Sequence, residues 1–168
     1  AAHAALTRRL GADLIIPIAE PTALALTAAP PSDVSLPFPD AATFRRLCDK
    51  EEVLRIAHGI GIRVPRQLVL SSHASLQEHD VLAALDRFPM PAIVKPSRSV
   101  AGGGQQLVKL PVRYADTPAE LRELVNATVS GGFPLLVQER VEGVGLGTFH
   151  LMWEGQEVAA FAHRRLRE

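Results

Sequence analysis

The chain has 168 residues and a mass of 18.1 kDa, enough for one ordinary domain or two small ones, and its 47% apolar and 21% charged residues are those of a globular protein with a core of its own. Eighteen Lys and Arg balance eighteen Asp and Glu at a pI of about 7.2, which argues against a nucleic-acid or anionic-membrane binder that works by bulk charge. The single cysteine, Cys48, excludes an intrachain disulfide and a Cys-rich zinc site and fits a reducing, cytoplasmic setting.

The first residues, rich in alanine with Leu6 and Leu10 four apart, predict a helix over 1–10 that stops at Gly11. Arg8-Arg9 followed by Leu14–Ala19 has the outline of an export signal. Asp13, Pro17, Glu20 and Pro21 interrupt it well short of a membrane span, so neither export nor a membrane partner is expected. Asp13–Ile18 reads as a short strand buried on both faces, and Pro21-Thr22 opens a helix over 23–28. Helix, buried strand and helix are the tail of a doubly wound α/β unit, and the prolines between Pro30 and Pro39 mark a domain boundary.

Asp40 predicts the cap of a short helix through Leu47, and Asp49 with Glu52 a capping box for the next. That second helix places Val53, Leu54 and Ala57 on one face and ends at Gly59 as a left-handed cap. Gln67–Leu70 is a strand. Ser75 and Glu78 form an S-x-x-E box before Val81, Leu82, Leu85 and Phe88 at helical spacing. Ala92–Pro96 is a strand running into a flexible loop from Ser97 to Gly104, and Gln105–Leu110 is the strand that follows. Thr117, Pro118 and Glu120 supply an N-cap, a first-turn proline and an N3 glutamate for a helix with a Leu121, Leu124, Val125 and Val129 stripe, closed by Gly131-Gly132. Leu135–Val141 is a strand. Thr148–Trp153 and Gln156–His163 form a hairpin about Glu154-Gly155, with Phe149, Leu151 and Trp153 on one face and Trp153 in the core.

Two features carry chemistry. Glycine-rich loops admit an anion to their backbone N–H groups, although the same composition equally fits a mobile hairpin tip. A strand, not a helix, follows Gly102-Gly103-Gly104, and no Gly-Lys-Ser/Thr occurs there, which disfavours Rossmann and Walker loops. Lys95 lies inside the apolar strand Ile93-Val94-Lys95-Pro96, and an ammonium taken from water needs an anionic partner. A snorkelling lysine at a strand end is the structural alternative.

Asp49-Lys50, Gly61-Ile62-Arg63-Val64-Pro65, Ile93-Val94-Lys95-Pro96, the glycine loop and Val137-Gln138-Glu139-Arg140-Val141-Glu142-Gly143 occur in that order. Together they resemble the ATP-grasp superfamily, nearest to the carboligases of the carbamoyl-phosphate-synthetase and biotin-carboxylase type. The resemblance covers about residues 40–168. It implies an α/β fold, α+β in its lid: a partial ATP-grasp domain over 36–168 with a lid subdomain at about 66–141. Residues 1–35 would be the end of a Rossmann-like domain before it.

By that resemblance Lys50 and Lys95 reach the phosphates of ATP, and Ser97, Ser99, Gly102, Gly103 and Gly104 belong to the loop that closes over them. Gln138, Glu139, Arg140 and Val141 pass the adenine, their backbone reading its edge. Glu142 is the acid beside the position where the family binds ribose. The family's Mg2+ ligands lie on an acidic strand ending in a Glu-x-Asn motif. The only asparagine, Asn126, falls inside a predicted helix, so the metal ligands are expected beyond residue 168. The implied activity is ATP-dependent ligation of a small carboxylate to an amine or related nucleophile through an acyl phosphate, in a parent protein of which this stretch, inactive alone, is the nucleotide-holding part. A non-catalytic nucleotide-binding regulatory module, and a purely structural α/β interaction domain, are the alternatives.

The remaining features have ordinary readings. His73, His79 and Asp80 surround a helix start and face water, and Glu51, Glu52 and Arg55 pair on a surface. His163–Arg167 is a basic run that either nears phosphates or is solvated. Cys48 reads as a packed structural thiol.

Overall fold

The computed structural model describes residues 2–71, 78–103, 106–128 and 132–166. Helix α1 (Ala2–Leu10) ends at Gly11, whose φ of 60° is the left-handed conformation that stops a helix. Residues 13–18, expected as a buried strand, are not one. Leu14 makes only an isolated parallel bridge to Ser35, and Ile18 is 98% exposed. Apolar residues in an extended segment are covered only when strands flank it, and among the described residues none does. Helix α2 (Glu20–Ala28) follows, with Pro21 in the first turn where no intrahelical N–H is needed.

The Asp40 carboxylate accepts from the N–H groups of Ala42 and Thr43 and so starts α3 (Ala41–Leu47). Asp49 accepts from the Glu51 N–H and starts α4 (Lys50–Gly59). The capping box expected here does not close. Glu52 turns to Arg46, whose Nε and Nη2 donate to it at 2.8 and 2.6 Å. The left-handed residue is Gly61, at φ 83°, and not Gly59, which stays helical. Ile62 N–H bonds Ala57 O and Gly61 N–H bonds His58 O, the paired bonds of a Schellman ending.

Strand β1 (Gln67–Leu70), helix α5 (His79–Asp86) and strand β2 (Ala92–Pro96) come next. Helix α5 begins at Glu78 without a side-chain cap, and Ser75, expected in its capping box, lies outside the described residues. The expected glycine loop is largely a ribbon. Strand β3 (Val100–Gly103) pairs antiparallel with β4 (Gln106–Lys109), so Gly102 and Gly103 lie within a strand near its tip and do not hinge its base. Gly104 lies outside the described residues.

Strand β5 (Arg113–Ala115) has no counterpart among the expected elements. It is three residues long and only Ala115 is buried, too little pattern to read. Helix α6 (Pro118–Ala127) is capped as expected: the Thr117 hydroxyl accepts from the Glu120 N–H and the Glu120 carboxylate from the Asp116 N–H. It ends at Ala127, short of the expected closing glycines Gly131-Gly132, and Val129 lies outside the described residues. Strand β6 (Leu135–Glu139) completes an antiparallel sheet of order β1-β6-β2-β5.

Alternation splits this sheet into two faces. Leu70, Ala92, Val94, Ala115, Leu135 and Val137 meet Leu85 and Phe88 on one side and Leu121 and Val125 of α6, forming the core. An Arg122–Asp86 ion pair ties α6 to α5. The opposite face carries Gln67, Val69, Ile93, Lys95, Tyr114, Leu136 and Gln138 in neighbouring register. That face is where the site lies.

Strands β7 (Leu146–Trp153) and β8 (Gln156–Arg164) form a ribbon through Glu154 and Gly155, both left-handed at φ 47° and 77°, as a two-residue hairpin turn requires. Its expected buried face is exposed: Phe149 by 50%, Leu151 by 59% and Trp153, expected in the core, by 60%. Among the described residues no helix or sheet covers it, and a shift of register between Leu151 and Met152 breaks the alternation. Phe149 stacks on Phe161 across the ribbon at 4.6 Å instead. No helix among the described residues is long and apolar enough to cross a membrane.

Candidate functional site

The start of α4 and the end of β2 meet at one peptide. The Ser97 carbonyl accepts from the Lys50 backbone N–H at 2.9 Å and from the Lys50 ammonium at 3.2 Å, with the Pro96 carbonyl 3.5 Å from the same ammonium. Lys50 is thereby held at the edge of this second face of the sheet, near Lys95 of β2. Both side chains are half-buried. Burial pushes the Lys50 ammonium toward its neutral form, and the carboxylates of Glu20 and Asp49 oppose that. Burial also pushes Lys95 down, and the next contribution is the positive charge of Lys50, acting in the same direction. The two ammonium groups therefore lie close enough for each other's charge to be felt. Among the described residues Lys95 draws no support from a carboxylate.

Ser97 is fully buried, and its hydroxyl has no hydrogen-bond partner among the described residues. Arg98 pairs with Asp49 at 3.5 Å and lies 5.3 Å from the Phe133 ring centroid. The Ser99 carbonyl accepts from the Leu110 N–H at 2.8 Å, closing the base of the β3–β4 ribbon. Two half-buried cations, one lacking an acidic partner, and an orphaned hydroxyl beside them fit a phosphate chain.

Further along the same face, Gln138 is 3% exposed, and its amide donates to the Gln67 side-chain oxygen at 2.9 Å. The Glu139 carboxylate accepts from the Arg66 N–H at 3.0 Å, and the N–H groups of Glu139 and Arg140 donate to the carbonyls of Arg66 and Pro91. The Arg140 guanidinium stands 6.0 Å from the Tyr114 ring. Those two backbone donors are occupied within the sheet, and the chain leaves the sheet after them at Val141 and Glu142, both exposed.

The structure thus brings Lys50, Lys95, Ser97 and Ser99 to one end of this face and places Gln138 on the same face, one strand over and two residues along. It also shows two features that the sequence reading missed. A cavity of about 420 Å³ adjoins Lys50 and Ser99, with Glu20, Cys48, Phe38 and Phe44 in its walls. A second, of about 480 Å³, lies between α4 and β1, against Leu54, His58 and Gln67. Neither has a linear signal, because each is assembled from separate segments. Burial, then the nearby Glu20 carboxylate, holds the Cys48 thiol above its ordinary range, in keeping with a packed thiol. Among the described residues no cluster of three His, Cys, Asp or Glu side chains could hold a metal ion.

No protein-family model and no curated protein matches the chain in sequence. Among solved structures it matches the D-alanine-D-alanine ligase of Helicobacter pylori at a TM-score of 0.56 and 18% identity, over 80% of this chain and 40% of that one. The chain spans about 40% of the length of that ligase. The likeness shows the fold: a mixed α/β, ATP-grasp-like architecture with antiparallel sheets, represented in part.

Proposed function

We propose that the chain is the nucleotide-holding part of an ATP-dependent ligase that joins a small carboxylate to an amine or a related nucleophile through an acyl phosphate. The carrying observation is the half-buried Lys50–Lys95 pair, in which Lys95 has burial and a like charge around it and, among the described residues, no acid to offset them. A phosphate oxygen about 4 Å from either ammonium contributes roughly 4 kcal/mol per unit charge at an effective dielectric of 20. The fold shared with a ligase and the five ordered motifs support the same reading, as does the glycine ribbon rooted at Ser99.

In this reading Lys50 and Lys95 hold the phosphates in line with the reacting carboxylate. The β3–β4 ribbon, with Gly102 and Gly103 bare of side chains, covers them and excludes water. Gln138 stays paired with Gln67 and fixes the end of β6 beside the base, while the backbone from Val141 onward reads its edge and Glu142 stands nearest the ribose. ATP supplies the phosphoryl group that activates the carboxylate. Among the described residues no group of three His, Cys, Asp or Glu side chains could hold the magnesium ion. Residues 1–35 belong, in the same proposal, to the end of a preceding α/β domain, and the parent enzyme to the carbamoyl-phosphate-synthetase and biotin-carboxylase type.

Thermal unfolding with and without ATP-Mg tests this. A hundredfold excess of ATP over its dissociation constant is expected to stabilise the chain by about 2.7 kcal/mol. The shift is expected to vanish in Lys95→Met and Lys50→Met. Absence of any nucleotide-dependent shift in the unaltered chain overturns the reading.

A further inference from the structure

We propose that Arg98 keeps the Asp49 carboxylate off the Lys50 ammonium and so leaves the lysine pair free for an anion. Arg98 is then a positioning residue, which acts through Asp49 and itself touches no phosphate. That the anion is the phosphate chain of ATP rests on the ligase reading; the hold of Arg98 on Asp49 does not.

Two dipeptides, Asp49-Lys50 at the start of α4 and Ser97-Arg98 after β2, are joined twice. The Lys50 N–H and ammonium donate to the Ser97 carbonyl at 2.9 and 3.2 Å, and Nη2 of Arg98 stands 3.5 Å from Oδ2 of Asp49. The other oxygen of Asp49, Oδ1, accepts from the Glu51 N–H at 3.1 Å. One oxygen of this carboxylate thus starts the helix while the other faces the guanidinium. The Phe133 ring, its centroid 5.3 Å from the guanidinium carbon, gives Arg98 a second hold. The two side chains are only 24% and 20% exposed, so solvent and salt screen the pair less than one on an open surface. To reach a phosphate, this guanidinium would have to leave both Asp49 and Phe133.

At Lys50 burial acts first, the charges of Glu20 and then Asp49 oppose it, and Arg98 adds a small push in the direction of burial. Asp49 is therefore close enough to act on the ammonium, and it is the next residue in the chain. An unpaired carboxylate there would repel an incoming phosphate and compete with it for Lys50. Arg98 cancels that charge where it arises. Two half-buried ammonium groups, Lys50 and Lys95, then face the anion with a neutral Asp49–Arg98 pair beside them. Without the guanidinium, Asp49 turns a full negative charge on the same space and draws Lys50 to itself.

Titration calorimetry on the 168-residue chain with ATP and with inorganic tripolyphosphate tests the proposal, with circular dichroism as the check of fold. Arg98→Met keeps an apolar chain beside Phe133 and removes the charge. It is expected to weaken both ligands roughly tenfold, the effect of one unit charge about 10 Å away at an effective dielectric of 20. Asp49→Asn, whose side-chain oxygen still caps α4, should return the Arg98→Met chain to at least the affinity of the unaltered one. A double variant that stays weak overturns the proposal, because Arg98 then either touches the phosphate or serves the fold alone. So does a folded Arg98→Met that binds ATP like the unaltered chain. Asp49→Asn alone needs no change at Arg98 and should not weaken ATP; if it does, Asp49 does not oppose the anion and the proposal falls. A chain that binds ATP with no effect of Arg98→Met loses this role and keeps the ligase reading. One that shows the whole pattern with tripolyphosphate but ignores ATP keeps the role and loses the ligase. Binding of neither ligand by the unaltered chain removes both.

Discussion

The β1-β6-β2-β5 sheet and the β7–β8 ribbon are made of the same material. Both are antiparallel, and both carry apolar residues at alternating positions. In the sheet, α5 and α6 lie over one face, and Leu121, Val125, Val94 and Val137 are enclosed there. In the ribbon the same chemistry stands in water, with Phe149, Phe161 and Trp153 exposed. Alternation specifies which residues share a face. Whether that face is covered depends on elements that the pattern does not mention.

The largest difference should appear in core truncations. Leu121→Ala is expected to cost about 2–5 kcal/mol, the loss of a buried leucine with its residual cavity. Trp153→Ala should stay within about 0.5 kcal/mol, as for a surface change. Urea denaturation measures both, and a Trp153→Ala cost like that of Leu121→Ala would mean that the ribbon is covered in solution.

Next in size is the contrast between the two faces of the sheet. Lys95→Met should abolish the ATP-dependent stabilisation, about 2.7 kcal/mol at a hundredfold excess, and yet make the free protein more stable, because an ammonium leaves a place where burial disfavours it. The pH dependence has a definite sign. Burial lowers the folded pKa of Lys95, so between that value and the ordinary lysine value the unfolded chain holds more protons than the folded one. Stability of the free protein should rise with pH across that alkaline window. Below it, the full cost of the charged form is present. The rise should shrink in Lys95→Met, read from thermal midpoints over a pH series.

The smallest contrast lies within the helical layer. Thr117 caps α6 through its hydroxyl, whereas Glu78 begins α5 without a side-chain bond. Thr117→Ala should cost about 1 kcal/mol and Glu78→Ala close to nothing, again by denaturation.

Local physics explains what was legible. Asp40, Asp49 and Thr117 announced helix starts because a short polar side chain at that position satisfies backbone N–H groups within its own turn. Lys95 stood out because an ammonium inside an apolar strand has no local reason to be there. The misreadings share a cause. Residues 13–18 and the β7–β8 face have the composition of buried strands, but burial is a relation to a neighbour. Glu52 and Gly59 were assigned by spacing, and each lost to a competitor close in sequence: Arg46 for the carboxylate, Gly61 for the left-handed turn. The Glu20 and Phe44 cavity left no trace in the sequence, since its walls come from α2, α3 and α4 together.

The backbone of Ser97 has a mechanical consequence. Ser97 donates its N–H to Pro134 O at 2.8 Å, and its carbonyl takes both hydrogen bonds from Lys50. That one unit rivets the end of β2 to the loop before β6 and to the first turn of α4. A swing of the β3–β4 arm must therefore pivot outboard of the rivet, near the Ser99–Leu110 pair, and leaves the lysine seat undisturbed while it moves.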